Sequence, residues 1–318
     1  MFNEPLNIWL QNNFFDKLMQ IVTLGGEELF FIAIGIAIYI CVDKRFGLRL
    51  IYGYLLGAVI NSALKLIFRI PRPYAPDPSR PDKELVPSIG PETDGYSFPS
   101  GHANAASLLA APLCMRFGSK KRWWVYALGA LVVAAVMFSR LYLGQHYLAD
   151  VLVGALTGVL YAIAFKYLFV LMGDREHIFP LILIPIFILA CVFSPENKDL
   201  FVVTGSYTGI SVGYFIEKKY INASEKAVWW VQLIKLVFTI GIAVAIKEGF
   251  KLFLNPIISA APLDGRTVVE RICDLFRYLC AALWAAAGAF ACIKCAAGFL
   301  KKRRAKKEPP PPEKTGLC

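Results

Sequence analysis

The apolar residues of this chain come in blocks about as long as a bilayer is thick, and that restricts the fold more than any other feature. About 20 predominantly apolar residues cross the hydrocarbon core as a helix, and a helix satisfies its backbone polar groups without water. Nine segments approach that length, at about 18–42, 50–70, 101–117, 123–139, 147–171, 178–194, 199–216, 229–248 and 276–299. Hydrophobic residues are 57% of the 318, against about 45–50% in soluble domains. The expected fold is all-α: a polytopic integral membrane helical bundle with about nine transmembrane helices. Residues 1–17 place Leu6, Trp9, Leu10 and Phe14 at helical spacing among Asn and Gln, the pattern of an interfacial amphipathic helix. Residues 18–300 form the membrane domain, and 301–318 a basic tail. Glu4 and the lack of an early basic stretch give no expectation of a cleavable signal peptide.

A formal net charge of +11 raises the question of nucleic acid. Much of it sits in the tail, where Lys301, Lys302, Arg303, Arg304, Lys306, Lys307 and Lys314 face only Glu308 and Glu313. No aromatics are interleaved there for base stacking, so no nucleic-acid partner is expected. A basic cluster just after an apolar segment instead favours the cytoplasmic face and anionic lipid. Alternating backwards through nine spans puts 43–49, 116–122, 172–177 and 217–228 on the cytoplasmic side, each with basic residues. Trp123–Trp124 and Trp229–Trp230 then lie where an interfacial aromatic belt belongs. The N-terminus and the segment 71–100 face outward, to periplasm, lumen or exterior. Most of the eight cysteines lie inside apolar runs, and Cys292-x-x-Cys295 lacks a second ligand pair, so zinc is not implied.

Segment 71–100 holds eight prolines, too many for a regular helix or central strand. Connections of that length usually carry function or their own packing. Polar residues cluster at the three outward helix ends around it. Lys65 and Arg69 are four apart at the end of the second span, with Arg72-Pro73 just beyond; alone, they read better as interfacial snorkelling than as a site. Pro99-Ser100-Gly101-His102 opens the third span, offering either an ordinary Ser cap or a helix N-terminus for an anion. Ser139-Arg140 and His146 with Asp150 lead into the fifth. His146 and Asp150 share a helix face, and a carboxylate on one imidazole nitrogen leaves the other with a free lone pair. Two of the chain's three histidines fall in these motifs. Ionisable groups gathered on one side of a membrane default to function, and Lys65, Arg72 and Arg140 suit a phosphate.

K-x6-RP, PSGH and SR-x5-H-x3-D, in that order, make the chain resemble the type 2 phosphatidic-acid phosphatase superfamily over about residues 50–165. Its nine-span plan is similar to the glucose-6-phosphatase and sphingosine-1-phosphate phosphatase branches. The resemblance implies that His146 attacks phosphorus while Asp150 orients it. His102 protonates the leaving oxygen and then activates water. Lys65, Arg72 and Arg140 hold the phosphoryl oxygens, with Ser100 and the Gly101 amide completing the cradle. No carboxylate cluster calls for Mg²⁺, so neither metal nor cofactor is implied. The expected activity is metal-independent hydrolysis of a lipid phosphate monoester or isoprenoid pyrophosphate through a phosphohistidine, with membrane lipids and a phosphorylated amphiphile as partners. A sugar phosphate, transfer to another acceptor, and non-catalytic lipid-phosphate binding or transport remain open alternatives.

Overall fold

The structure is a computed structural model that describes residues 13–77, 85, 87–89, 95–262 and 265–305. Most of the expected interfacial helix at 1–17, and residues 306–318 of the basic tail, lie outside the described residues. Among the described residues there are eleven α-helices and no strand, so the all-α expectation holds. The chain divides into two compact units, Met1–Glu176 and His177–Cys318.

In the first unit, α1 (Asn13–Thr23) passes through a 3-10 turn (Leu24–Gly26) into α2 (Glu28–Cys41). Then come α3 (Lys44–Phe68), α4 (Gly101–Phe117), α5 (Trp123–Tyr142) and α6 (Leu148–Met172). Phe31, Leu50, Leu108, Leu109 and Ala162, from α2, α3, α4 and α6, make the core. Helix α6 meets α4 through Gly154 and Gly158, where a Cβ would stand 2.5 Å and 2.4 Å from the carbonyl oxygens of Ser100 and Asn104. Small residues of this kind let backbones approach closely where lipid offers no hydrophobic contrast to drive association. The contact fixes the start of α4 against the first turns of α6, and so brings the second and third motifs together.

The other end of this unit is tied by ion pairs. Arg116 meets Asp43 at 2.7 Å, Arg45 meets Asp174 at 2.9 Å, and Arg49 meets Glu176 at 2.8 Å. The basic connections at 43–49, 116–122 and 172–177 therefore share one end, and the motif residues the opposite one. A cavity of about 340 Å³ between α3, α4 and α6 also opens near the basic end, by Arg49, Arg116 and Lys166. Sixteen residues separate Arg49 from Lys65, about 24 Å along a helix, so this cavity is distinct from the motif site.

In the second unit, α7 (Phe179–Phe193) and α8 (Lys198–Ile216) are followed by α9 (Trp229–Ala260), α10 (Arg266–Leu283) and α11 (Ala289–Ala305). Gly205 and Gly209 on α8 would place a Cβ 2.2 Å and 2.3 Å from the carbonyl oxygens of Leu275 and Leu279 on α10. With Gly213 they form the packing face that their spacing admits.

The structure supports a membrane helical bundle without confirming the expected count of nine spans. Among the described residues, five helical stretches are long and apolar enough to cross a membrane: Lys44–Phe68, Trp123–Tyr142, Leu148–Arg175, Trp229–Ala260 and Arg266–Ala296. A sixth is counted if the pair Phe14–Gly26 and Glu28–Cys41, bent by 49°, is one broken span. Helix α4 is short at 17 residues with Pro112 inside it, and α7 shorter at 15 with Pro185. Helix α8 is long enough, but Gly, Ser and Thr dilute its apolar content and most of it is buried in its own unit. Exposed apolar side chains cover the longer helices, and Trp123 and Trp229 are 68% and 79% exposed at the starts of α5 and α9. The protein is an integral, multi-pass membrane protein.

Candidate active site

Each motif residue is placed by the way its element ends. Helix α3 stops where Arg69 turns left-handed at φ 50°, its amide closing on the Lys65 carbonyl. Arg69 is exposed and its guanidinium folds back onto the Leu66 carbonyl at 2.9 Å, so it leaves the site. The chain then carries Arg72 inward, where it is only 4% exposed. Its Nε donates to the Gly95 carbonyl at 3.0 Å and one terminal nitrogen to the Gln145 carbonyl at 3.2 Å. The same nitrogen lies 3.4 Å from His146 Nε2.

Between α5 and α6 the chain turns over residues 143–147, with Gly144 at φ 68°, a value that favours glycine. The turn points His146 back into the unit, where it is buried. Its Nδ1 is 3.4 Å from Asp150 Oδ2, a long contact for the expected pair. Ser97 closes the gap: its hydroxyl lies 3.2 Å from Nδ1 and donates to Asp150 Oδ2 through a short bond. The Tyr147 amide donates to the same carboxylate oxygen at 2.8 Å. A guanidinium only donates, so the contact with Arg72 assigns the lone pair of His146 to Nε2 and the proton to Nδ1. Burial, and then the charges of Arg140, Arg72, Lys65 and His102, hold the His146 imidazole well below the usual histidine range. The result is a neutral imidazole with its lone pair beside a cation.

Arg140, also 4% exposed, donates to Thr23 Oγ1 at 3.1 Å and approaches Gln145 Oε1 at 3.5 Å. Its buried Nε has no partner among the described residues. Lys65 is partly buried in the last turn of α3, close enough for its charge to act on both histidines. Ser100 is fully buried as the N-cap of α4, and its amide donates to the Asp150 carbonyl at 3.0 Å. Gly101 follows it, at the helix N-terminus.

His102, one residue on, does not face Asp150; its Nε2 lies 3.0 Å from Glu27 Oε1. Glu27 stands at the break between α1 and α2, where the sequence reading runs straight through from 18 to 42. Gly26 makes the approach possible, since a Cβ there would lie 2.7 Å from the His102 carbonyl oxygen. The available signal was Gly25-Gly26-Glu27-Glu28 inside an apolar run, where carboxylates are expensive. Ser97 and Gln145 were missed as well, and no spacing marks them. Ser88 and Ile89 of the proline-rich segment bond to Gln145 Nε2 and to the Leu143 carbonyl, beside the turn that carries His146.

Residues 46–173 match the family model described as the PAP2 superfamily, and 201–295 that of the PAP2 superfamily phosphatase, transmembrane extension. Sphingosine-1-phosphate phosphatase 2 of Homo sapiens is 27% identical over 234 residues, which are 69% of this chain and 56% of that protein. Undecaprenyl-diphosphatase of Sulfolobus acidocaldarius is 31% identical over 151 residues, 44% of this chain and 68% of that protein. The chain thus spans 56% to 60% of the two sphingosine-1-phosphate phosphatases 2, human and mouse, that it matches. A crystal structure of a PAP2-type phosphatidylglycerolphosphate phosphatase from Bacillus subtilis aligns over 53% of this chain and 83% of that one, at 25% identity and a TM-score of 0.42.

Proposed function

The chain belongs to the PAP2 superfamily, and from that membership we propose that it is a metal-independent membrane phosphatase acting on a lipid phosphate monoester or an isoprenoid pyrophosphate. The observation that carries the reading is His146, with Nδ1 anchored by Ser97 and Asp150 and Nε2 presented beside Arg72. Nε2 attacks phosphorus, forming an N–P bond as the P–O bond to the leaving group breaks. His102 gives its proton to the departing oxygen. It then takes a proton from water as the water oxygen attacks phosphorus, which breaks the N–P bond and frees phosphate. Lys65, Arg72 and Arg140 meet the charge spread over the phosphoryl oxygens, the main demand of this chemistry. The unpartnered Nε of Arg140 gives that residue a donor to spend on substrate. Ser100 and the Gly101 amide complete the cradle through the α4 N-terminus.

The site opens on the outer face of the membrane and the C-terminus is cytoplasmic. Support comes from the basic connections gathered at the end of the first unit remote from His146. The division into an interfacial segment 1–17, a membrane domain 18–300 and a basic tail 301–318 goes with this reading, the catalytic residues lying within about 50–165.

The test is phosphate release by detergent-purified protein in EDTA, across phosphatidic acid, a sphingoid-base phosphate, a polyprenyl pyrophosphate and glucose 6-phosphate. Release from a lipid, abolished in His146→Ala at unchanged expression, is expected. More than a few per cent of activity in that variant would remove His146 as nucleophile. Loss in EDTA restored by Mg²⁺ would end the metal-independent reading, release from the sugar phosphate alone would reassign the substrate, and silence on every compound would leave a binder.

A further inference from the structure

A site built to hold phosphate gathers cations, and this one has Arg72, Arg140 and Lys65 around its two histidines. Glu27 is out of keeping with them. Asp150 is buried behind His146 and its acceptor oxygen is engaged by Ser97 and the Tyr147 amide, whereas the Glu27 side chain is 46% exposed. Only one of its oxygens is used: Oε1 lies 3.0 Å from His102, while Oε2 has no partner among the described residues. A carboxylate with a free oxygen beside the residues that grip phosphate repels the substrate's own charge. The fold nonetheless holds it there: the first span breaks by 49° next to it, and Gly26 presses against the His102 backbone.

That placement makes sense if the substrate brings a cation of its own next to its phosphate. We propose that Glu27 Oε2 receives a protonated amine of the substrate, which makes the substrate the phosphate of a long-chain amino alcohol. Such a lipid carries its ammonium on the carbon adjacent to the one bearing the phosphate. Phosphate among the arginines and ammonium on Glu27 are then bound together at neighbouring points. Isoprenoid pyrophosphates and diacylglycerol phosphates carry no amine and would meet Glu27 as repulsion only. A carboxylate thus attracts one class and penalises the others, the two halves of discrimination. The inference rests on the reading of this site as one for a lipid phosphate, and names which lipid.

The experiment compares sphinganine 1-phosphate with its N-acetylated analogue, identical in chain and phosphate but without the positive charge. Affinities are measured by displacement in detergent on protein carrying His146→Ala, so no turnover is needed. The free amine is expected to bind about two- to fivefold tighter, the range of an ion pair at a partly exposed site. Adding Glu27→Gln should abolish the difference while leaving the acetylated lipid bound at least as tightly as before. That second reading also shows the doubly substituted protein to be intact. Equal affinities with Glu27 present, including no binding of either lipid, overturn the proposal. So does a preference that survives Glu27→Gln, or a Glu27→Gln protein that no longer binds the acetylated lipid. Failure of the parent protein to release phosphate from any lipid would sink the phosphatase reading alone, because the binding comparison does not depend on it.

Discussion

Replacing Ser97 with alanine removes one oxygen that bridges His146 and Asp150, and the consequence can be worked from the contacts. The hydroxyl is fully buried, donates to Asp150 Oδ2 and lies 3.2 Å from His146 Nδ1. Hydrogen bonds to charged groups contribute about 1.5–3 kcal/mol each. Part of that is recoverable. The Tyr147 amide still donates to the carboxylate at 2.8 Å, and Nδ1 is already 3.4 Å from Oδ2, so a small ring rotation restores a direct bond. The net loss should be near the bottom of the range, about 1.5 kcal/mol, or roughly tenfold in rate. It should fall on the chemical step if His146 is the nucleophile, as proposed, because Ser97 reaches the ring from the side that faces away from Nε2. Single-turnover hydrolysis by purified protein should therefore slow about tenfold in Ser97→Ala, with KM within about twofold of the parent. A rate within twofold of the parent would refute the bridging role, and so would a loss expressed only in KM.

Two further outcomes follow from the same geometry. Gly26→Ala forces a Cβ to within 2.7 Å of the His102 carbonyl oxygen, against backbone that cannot yield cheaply. It should cut activity at least about tenfold by displacing His102 and Glu27 together, at a cost near the 1–3 kcal/mol of overpacking; thermal denaturation and turnover measured side by side check this, and unchanged turnover would contradict it. The buried His146 imidazole is held well below its usual range, so the unfolded chain binds a proton at higher pH than the folded one. The stability it contributes is complete above about pH 6.5 and is lost as pH falls through the lower, folded value. The acid limb of kcat/KM set by the nucleophile should likewise lie well below pH 6.5; a limb at or above that pH, absent from the stability profile, would show that the nucleophile is held differently.

The apolar blocks and the three motifs were readable because each is local. A run of about 20 apolar residues, a His and Asp four apart, or a serine heading a helix carries its meaning within one or two turns. Gly205, Gly209 and Gly213 are local in the same sense, since a spacing of four puts them on one face of α8, which packs against α10. Ser97 and Glu27 did not show themselves, for a common reason. Ser97 finds its partners 49 and 53 residues away, and Glu27 its partner 75 residues away, so only the packing of helices brings them together. The span count goes unconfirmed where local irregularity outweighs average hydropathy: two glycines and two acids bend the first run, and prolines fall inside the short α4 and α7.

The break between α1 and α2 also bears on where this unit can be cut. The stretch that matches the PAP2 superfamily starts at residue 46 and contains all three motifs. Thr23, which holds Arg140, and Glu27, which holds His102, both precede it, and Asp16 reaches Tyr142 at 2.7 Å from the same side. One wall of the site is therefore contributed by sequence that no motif marks. A minimal fragment, a chimaera or a fusion joined at the first motif would retain His146 and its anchors, yet leave two basic side chains without the neighbours that aim them.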